Sequence, residues 1–496
     1  TVVGRAGNDT IGTGIGADLV DAGAGDDSVV TGADSDTIDG GIGNDIIDSG
    51  LAGDIVDAGT GNDSVVAGFG ADFVDGGTGN DTIRSGSDND SVLSGDGEDS
   101  IEGGDGNDLI GFGDGFADAT GGYTDVINNS IATGSYVGVD AAYLTTADSV
   151  DGGTGSDTVA FTLNANLALT DSTIDNVEVL NINRVDNSTA TLTLDKSILG
   201  STNTILVQTS DDDAGTAGST TFNSESFVQG QSVTFFDNDL DGTHLRTFGA
   251  GNDVYANDNQ DATLGVTVAG NGGADTIALS TANVQEDVLY NTGNDGGIGG
   301  ASTGGDLVLN FAAGTDKVLI GSNGTAGGGS PTSDTGLLFD LAQRQASFGK
   351  AKLFGAVNQQ LVLGGQTATG GQPAGGDNML FLTGPARSLT DAQLTDASAI
   401  AAVINDVGVV SNGLAFGASF GSGSDKIEQQ SNQALIVQQG QTDTALWLYI
   451  ETDLVFNVGE AHTASASELR QLAIFDNALL TNADFLTTDS EAVSII

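Results

Sequence analysis

The most constraining feature of this chain is a nine-residue repeat that runs twelve times without interruption from residue 4 to residue 111. Residues 40–48 read GGIGNDIID and residues 76–84 read GGTGNDTIR. The second and fourth positions are Gly in eleven and nine copies, and the eighth is always Ile or Val. The sixth position is Asp in every copy: Asp9, Asp18, Asp27, Asp36, Asp45, Asp54, Asp63, Asp72, Asp81, Asp90, Asp99 and Asp108. Repeats this short bury a core only by stacking on one another.

Each unit divides into a turn and a strand. The glycine-rich half can adopt positive φ and turn tightly without steric cost. The last three positions form a short strand whose middle residue, the eighth, points inward while its neighbours point outward. Two units make one coil of 18 residues, so residues i and i+18 stack at about 4.8 Å. We therefore expect a right-handed parallel β-roll (a β-solenoid) in an all-β-dominated chain, followed by further β-rich segments.

The same stacking predicts metal sites. It brings Asp9 over Asp27, and two carboxylates roughly 5 Å apart repel by about 3 kcal/mol at an effective dielectric constant of 20. Backbone carbonyls of adjacent turns face the same gap, and hard oxygen ligands with excess negative charge suit Ca²⁺ better than Mg²⁺. We therefore expect calcium between the turns. The glycines expected beside these carboxylates are Gly7, Gly25, Gly43, Gly61, Gly79 and Gly106.

The charge of the repeat segment matches such sites. Residues 1–111 contain 22 Asp and 2 Glu against Arg5 and Arg84, a net charge of −22. Twelve loops leave at most ten gaps between stacked loops, and ten Ca²⁺ ions would bring that charge to about −2. Diffuse surface acidity, as in salt-adapted proteins, is the alternative source of such acidity, and it does not predict this match.

The composition of the whole chain excludes several classes. A net charge of −57 argues against binding to nucleic acid or directly to an anionic membrane surface. The absence of Cys removes disulfides, thiolate catalysis and cysteine-ligated zinc. No apolar run is long enough to span a bilayer. The first residues show no amino-terminal signal peptide, so we expect secretion without one.

These repeats resemble the RTX (repeats-in-toxin) family, whose nonapeptide is GGxGxDxUx. The resemblance covers about a fifth of the chain. It implies calcium binding and export by the type I secretion machinery through an uncleaved carboxy-terminal signal. Such chains stay unfolded in the low-calcium cytosol and fold outside, which implies an extracellular or cell-surface location.

The repeat continues more weakly beyond residue 111. Residues 121–127 keep an Asp and an Ile in register, and residues 152–160 (GGTGSDTVA) restore a full unit with Asp157. We therefore expect a first domain over residues 1–160, with residues 128–142 looped out as an insertion.

Two further segments are expected to be β-structured. Residues 161–247 are rich in strand-forming residues, and the run at 173–182 resembles strand repeats of bacterial surface-layer (S-layer) and cyanobacterial surface proteins. Residues 248–320 form a second, degenerate repeat segment whose calcium-type units contribute Asp253 and Asp275, and the acid-x-Val patterns at residues 306–308 and 316–318 close it.

A different calcium loop is a candidate at residues 237–242. Asp237, Asp239 and Asp241 alternate before Gly242, which resembles the opening half of an EF-hand loop. Its twelfth position is Phe248 and not the bidentate Glu, so a complete EF-hand is excluded. An isolated calcium loop and an ordinary acidic turn both remain open.

After a glycine-rich break, residues 331–496 are expected to form a separate β-rich or α+β domain that carries the secretion signal near its end. Helical patterns lie at residues 389–405 and 465–475, and strands at 435–438 and 443–451. Within the second strand, Trp447 is expected to be a core residue.

No catalytic constellation is evident. The chain has two histidines, His244 and His462, and no HExxH motif. Residues 417–421 match GxSxG formally, but the context gives Ser419 no convincing base or acid partner. We expect a protein that is not an enzyme.

Three functions remain. The first is a structural cell-surface protein, S-layer-like or another extracellular assembly, that folds and self-associates into a homo-oligomer on binding Ca²⁺. The second is the carboxy-terminal folding and secretion part of a larger secreted enzyme, toxin or adhesin. The third, a carbohydrate- or ice-binding adhesin, needs a regular outer face, and the mixed residues at positions seven and nine do not provide one.

Overall fold

The computed structural model of the 496-residue chain describes residues 1–112, 123–125, 130–132, 144–163, 165–184, 189–199, 203–211, 219–237, 244–257, 265–281, 285–290, 305–313, 315–320, 378–382, 389–406, 433–450, 469–480 and 485–487. The chain divides into unit 1 (Thr1–Ser226 and Val233–Gly242) and unit 2 (Phe227–Ser232 and Thr243–Ile496). The predicted domain boundaries stay predictions.

The described residues are nearly all β-structure. They also include the α-helix α1 (Ala397–Asp406) and the 3₁₀-helices Lys196–Leu199 and Asp391–Gln393. The strands are β1 (Val2–Ala6), β2 (Thr10–Ile15), β3 (Leu19–Ala24), β4 (Ser28–Ala33), β5 (Thr37–Asp39), β6 (Ile46–Leu51), β7 (Ile55–Asp57), β8 (Ser64–Phe69), β9 (Phe73–Asp75), β10 (Thr82–Ser87), β11 (Ser91–Leu93), β12 (Ser100–Asp105), β13 (Leu109–Gly111), β14 (Tyr123–Asp125), β15 (Ser130–Ala132), β16 (Ser149–Thr154), β17 (Thr158–Leu163), β18 (Leu167–Leu169), β19 (Ile174–Asp175), β20 (Val179–Arg184), β21 (Thr189–Leu194), β22 (Thr204–Asp211), β23 (Ser219–Asn223), β24 (Ser232–Asp237), β25 (His244–Thr247), β26 (Val254–Asn257), β27 (Val266–Ala269), β28 (Thr276–Ala278), β29 (Asp287–Tyr290), β30 (Asp306–Leu309), β31 (Lys317–Ile320), β32 (Asn378–Leu382), β33 (Gln433–Gln439), β34 (Thr444–Ile450), β35 (Leu469–Phe475) and β36 (Phe485–Thr487).

Unit 1 begins with the expected parallel β-roll. Odd-numbered strands from β1 to β13 form one parallel sheet and even-numbered strands from β2 to β12 form the other. Val20 pairs with Ile38 and Ile47 pairs with Val65, so successive coils are offset by eighteen residues. The eighth-position Ile and Val side chains are at most 7% exposed, which confirms that they form the core between the two sheets.

An insertion interrupts the roll without breaking its register. Ile101 pairs with Val150 and Ile110 with Val159, so the coil is closed across 49 residues instead of eighteen. The predicted return of the roll at residues 152–160 is confirmed. The predicted continuation through residues 121–127 is wrong, because β14 pairs antiparallel with β15 and its backbone is therefore used in a hairpin outside the roll. Of the predicted insertion at 128–142, the structure describes only β15.

Beyond residue 160 the coils lengthen and the core becomes larger. Val159 pairs with Leu180, an offset of 21 residues, and Leu180 pairs with Val207, an offset of 27. A third row of parallel strands, β18, β21 and β23, appears in these coils. The wider interior holds aromatic side chains, including Phe222 and Phe235 in an edge-to-face contact at 4.8 Å between ring centroids.

Unit 2 also contains parallel rows, one of β26, β28 and β30 and another of β25, β27, β29, β31 and β36. Strand β35 adds parallel to β30 and pairs antiparallel with β34, which pairs antiparallel with β33. The predicted strands at 435–438 and 443–451 are therefore confirmed. Trp447 is fully buried, and its Nε1 donates a hydrogen bond of 3.1 Å to the carbonyl of Leu394, as expected of a core residue.

The two predicted helices have different outcomes. The pattern at 389–405 is confirmed in part, by the 3₁₀-helix Asp391–Gln393 and by α1. The helix predicted at 465–475 is wrong, because residues 469–475 form β35 between two partner strands. Leu472 and Phe475 are fully buried there, so burial of the strand by its neighbours outweighed the local helical pattern.

Candidate calcium-binding ladders

The sixth-position aspartates of unit 1 form two hydrogen-bonded ladders. The backbone N–H of Asp27 donates to Oδ1 of Asp45, eighteen residues later, at 2.7 Å, and Asp45 donates to Asp63 in the same way. Ladder 1 comprises Asp9, Asp27, Asp45, Asp63, Asp81, Asp99 and Asp148. Ladder 2 comprises Asp18, Asp36, Asp54, Asp72, Asp90, Asp108, Asp157 and Glu178. Each ladder therefore crosses the insertion and continues beyond the twelve repeats.

The second carboxylate oxygen of these residues is buried without a hydrogen-bond partner. In unit 1 this holds for Oδ2 of Asp9, Asp27, Asp36, Asp45, Asp54, Asp63, Asp72, Asp81, Asp90, Asp99, Asp108 and Asp157. Asp148 differs, because its Oδ2 accepts hydrogen bonds from the backbone N–H and Oγ1 of Thr145. A buried anionic oxygen without a donor is costly unless a cation compensates it.

The turns place backbone carbonyls on the same edges. Gly43 has φ +140°, and the carbonyl oxygen of Gly25, one coil earlier, lies where a β-carbon at Gly43 would be. The predicted candidates Gly7, Gly25, Gly43, Gly61, Gly79 and Gly106 all have positive φ. The first five stack along the edge of ladder 1, whereas Gly106 lies on the edge of ladder 2 against the carbonyl of Asp88.

Burial perturbs the ionisation of these carboxylates. Loss of solvent, reinforced by neighbouring carboxylates, raises the pKa of Asp72, Asp81 and Asp99 to about 7. The hydrogen bond from the preceding coil lowers each pKa but does not reverse the effect of burial. The same causes raise the pKa of Asp63, Asp90 and Asp157 to about 6 and raise the pKa of Asp45, Asp54 and Asp108.

These oxygens fit Ca²⁺ as their cation. Within the part of the chain that the structure describes, no group of three or more His, Cys, Asp or Glu side chains could hold a metal by itself. Each coil contributes one ladder carboxylate per edge, so the remaining ligands must include backbone carbonyls of the adjacent turns. A mixed set of carboxylate and carbonyl oxygens is the set that Ca²⁺ takes in proteins.

A second side-chain ladder lies beside ladder 1, at the residue before each aspartate. The backbone N–H of Asn62 donates to Oδ1 of Asn44 at 2.7 Å, and that of Asn80 donates to Asn62 at 2.9 Å. Its side chains accept from the following coil, whereas those of ladder 1 accept from the preceding coil. The sequence analysis did not find this ladder, although Asn or an acid at the fifth position of alternate repeats indicates it.

Unit 2 contains part of a third ladder. The backbone N–H of Asp253 donates to Oδ1 of Asp275 at 2.8 Å, and that of Asp275 donates to Oδ1 of Asp306 at 3.0 Å. Burial, followed by the nearby carboxylate of Asp306, raises the pKa of Asp275 to about 10. The structure thus brings together the two predicted residues of unit 2 and adds Asp306.

The remaining candidates lie elsewhere. Asp237 is buried at the end of β24 and accepts a hydrogen bond from Oγ1 of Thr209 at 2.9 Å. Asp239 and Asp241 lie outside the described residues, so the second type of calcium loop stays a prediction. Ser419 and His462 also lie outside them, and His244 is buried in β25.

Glu178 and Asp306 were not among the predicted ligands. Each precedes an inward apolar residue by two positions, as Asp157 precedes Val159. A relaxed search for an acidic residue, any residue and then Ile, Val or Leu would have found both.

The fold and its ladders define a parallel β-roll of the calcium-binding class. Comparison with protein-family models matches four copies of the RTX calcium-binding nonapeptide repeat, at residues 1–29, 21–56, 48–83 and 84–116. Residues 1–116 are therefore RTX repeats that bind Ca²⁺, which confirms the resemblance. Comparison with curated proteins and with solved structures gives no match. Among the described helices, none has the length and hydropathy needed to cross a bilayer.

Proposed function

We propose that this chain is a secreted, non-catalytic structural protein that folds on binding Ca²⁺ and then self-associates in an S-layer-like or other cell-surface assembly. The observation that carries the proposal is the uninterrupted series of buried ladder carboxylates whose Oδ2 atoms have no hydrogen-bond partner. Because every coil of the repeat segment contributes to this series, calcium binding and formation of the roll are one process.

The chain's own residues divide the work. Oδ1 of each ladder aspartate fixes the register by accepting the N–H of the preceding coil, and Oδ2 is left for the cation. Bound Ca²⁺ supplies the positive charge that offsets the burial of these carboxylates. In the unfolded chain the carboxylates are hydrated and apart, so ions that bind the folded roll stabilise it by mass action.

An apolar face on unit 1 supports self-association. It lies on the outer side of the sheet that contains β2, β4, β6 and β8, and a single register column there holds Ile15, Ala33, Leu51 and Phe69. We define the apolar face as Ile15, Val30, Ile46, Leu51, Val66 and Phe69, all of which are exposed. Adjacent exposed apolar side chains on neighbouring strands mark an interaction surface more often than scattered ones do.

The charges beside this face favour a second copy of the chain as its partner. Asp48, Val66 and Arg84 occupy one register column on β6, β8 and β10. A two-fold axis in the interface, parallel to the strands and above Val66, places Asp48 opposite the partner's Arg84, and Arg84 opposite the partner's Asp48. Such an isologous contact covers the apolar face and pairs both charges.

The proposal is tested on the full chain, freed of metal and then titrated with Ca²⁺. Circular dichroism should show little β-signal without Ca²⁺ and a cooperative gain as it is added, with Mg²⁺ as the control cation. A full β-signal in metal-free buffer would overturn calcium-driven folding. Light scattering over a concentration series should show a mass above that of the monomer only with Ca²⁺, and a monomer throughout would overturn self-association alone.

Location is tested separately in the cells that make the protein. Antibody against the roll should label intact cells or detect the chain in the medium. Detection only after lysis would overturn the proposed secretion and leave calcium-driven folding untouched.

A further inference from the structure

The third ladder lies in unit 2, outside the residues that match the RTX repeats. Its coils are unequal, with 22 residues from Asp253 to Asp275 and 31 from Asp275 to Asp306. All three side chains are at most 2% exposed. Oδ1 of Asp275 accepts the N–H of Asp253, and Oδ2 of Asp275 is buried without a hydrogen-bond partner.

Another pair of acidic residues in unit 2 has the same hydrogen bond between coils. The backbone N–H of Glu286 donates to Oδ1 of Asp316 at 3.0 Å, and both side chains are at most 2% exposed. Here protein donors complete the set. Oδ2 of Asp316 accepts the N–H of Ala312 at 2.6 Å, while Oε1 and Oε2 of Glu286 accept from Nδ2 of Asn257 and the N–H of Ser280.

The two rows therefore differ in what they leave uncompensated. A buried carboxylate that accepts several hydrogen bonds carries its charge at a tolerable cost, whereas one whose oxygen meets no donor needs a cation or a proton. Asp275 has such an oxygen, and the carboxylates of Asp253 and Asp306 flank it along the ladder. Three converging carboxylates favour a divalent cation over a single proton.

We propose that unit 2 binds Ca²⁺ at Asp275, with Asp253 and Asp306 beside it, and that the Glu286–Asp316 row takes no ion. This inference rests on the proposed function in treating Ca²⁺ as the cation. It goes beyond that function by assigning a site to a part of the chain without regular repeats and by predicting which of two similar acidic rows is occupied.

Terbium luminescence can report on this site selectively. Tb³⁺ substitutes for Ca²⁺ at oxygen sites, and light absorbed by a nearby tyrosine or tryptophan sensitises its emission. Tyr255 lies two residues after Asp253 and is buried in β26, whereas residues 1–122 contain neither Tyr nor Trp. Tyrosine-sensitised emission that Tyr255→Phe removes therefore comes from unit 2 and not from the RTX repeats.

The experiment compares Asp275→Asn with Asp316→Asn in the full chain. Asparagine keeps an oxygen that can accept the ladder hydrogen bond, so each variant removes mainly one charge, and circular dichroism verifies that it folds. We expect Asp275→Asn to lower the Tyr255-dependent emission by about fivefold or more and Asp316→Asn to leave it within about 20%. Excess Ca²⁺ should quench the emission of the wild type.

Each result decides the question. Retained emission in Asp275→Asn, or absence of Tyr255-dependent emission in the wild type, overturns the site and leaves a proton on Asp275 as the explanation. An equal loss in Asp316→Asn overturns the distinction between the two rows. Directly excited Tb³⁺ emission and total bound Ca²⁺ report on the RTX repeats independently, so failure of the proposed function would appear there and not in the Tyr255 signal.

Discussion

The backbone N–H of Asp63 donates a hydrogen bond of 2.7 Å to Oδ1 of Asp81, eighteen residues later, while Oδ2 of Asp81 is buried without a hydrogen-bond partner. One carboxylate therefore joins two coils through one oxygen and offers the other to a cation. This division explains why a residue in a turn can hold the register of the roll and also make folding depend on Ca²⁺.

Replacing Asp81 with Asn should separate the two tasks. The amide oxygen can still accept the N–H of Asp63, but an NH₂ group replaces the free oxygen, and the negative charge is lost. We expect Asp81→Asn to bind one or two fewer Ca²⁺ ions in equilibrium dialysis and to need severalfold more Ca²⁺ to reach half of its β-signal. Asp21→Asn, which removes an exposed charge outside the ladders, is the matched control, and an equal effect there would contradict the ladder assignment.

Acidification should favour the metal-free fold. The folded pKa of Asp72, Asp81 and Asp99 is about 7, above the ordinary value of 3.8, so the folded state binds more protons than the unfolded chain. The stability present below that ordinary value is therefore lost as pH rises through about 7. Metal-free protein should gain β-signal on titration from about pH 8 to about pH 5.

Calcium binding should show the opposite dependence on pH. Protons compete for the same carboxylates, so the Ca²⁺ concentration at the folding midpoint should rise on acidification over the same range. Circular dichroism titrations at several pH values measure both effects. A midpoint independent of pH would show that the ladder carboxylates do not bind the ions that drive folding.

Ala52→Gly should stabilise the calcium-loaded roll. Ala52 stands where most repeats have Gly and is held at φ +78°, a conformation that costs a residue with a β-carbon about 1 kcal/mol. The substitution should raise the denaturant midpoint accordingly. Ala71→Gly changes an equally exposed residue without positive φ, so it should lower the midpoint through the greater entropy of the unfolded chain. The same sign for both would contradict the strain at Ala52.

The apolar face should control self-association without affecting folding. Phe69→Ser removes the aromatic side chain from an exposed position, so the calcium midpoint should stay unchanged while the dimer dissociation constant rises about tenfold or more. Arg84→Asp should also weaken association, and adding Asp48→Arg should restore it, because the double variant exchanges the paired charges. Sedimentation velocity measures each constant, and a double variant weaker than the single one would exclude the proposed two-fold arrangement.

Much of the repeat segment could be predicted because its period leaves little freedom. The inward Ile and Val, the stacking of Asp9 on Asp27 and the turns with positive φ all follow from nine residues repeated in register. Even Arg5 and Ala52, which break the glycine pattern, adopt the φ that the period requires. Regions without a strict period were less predictable: β35 has a helical pattern, and only burial between two strands makes it extended.

The sequence by itself determined where carboxylates recur and that they stack, because an Asp at the same phase of every coil must lie above the one before it. Only the tertiary structure decided which carboxylates lack hydrogen-bond donors. Asp275 and Asp316 both precede an inward apolar residue by two positions, yet Ala312 donates to the second oxygen of Asp316 and no protein group donates to Oδ2 of Asp275. That difference arises from the coils packed around each residue, and local sequence does not encode it.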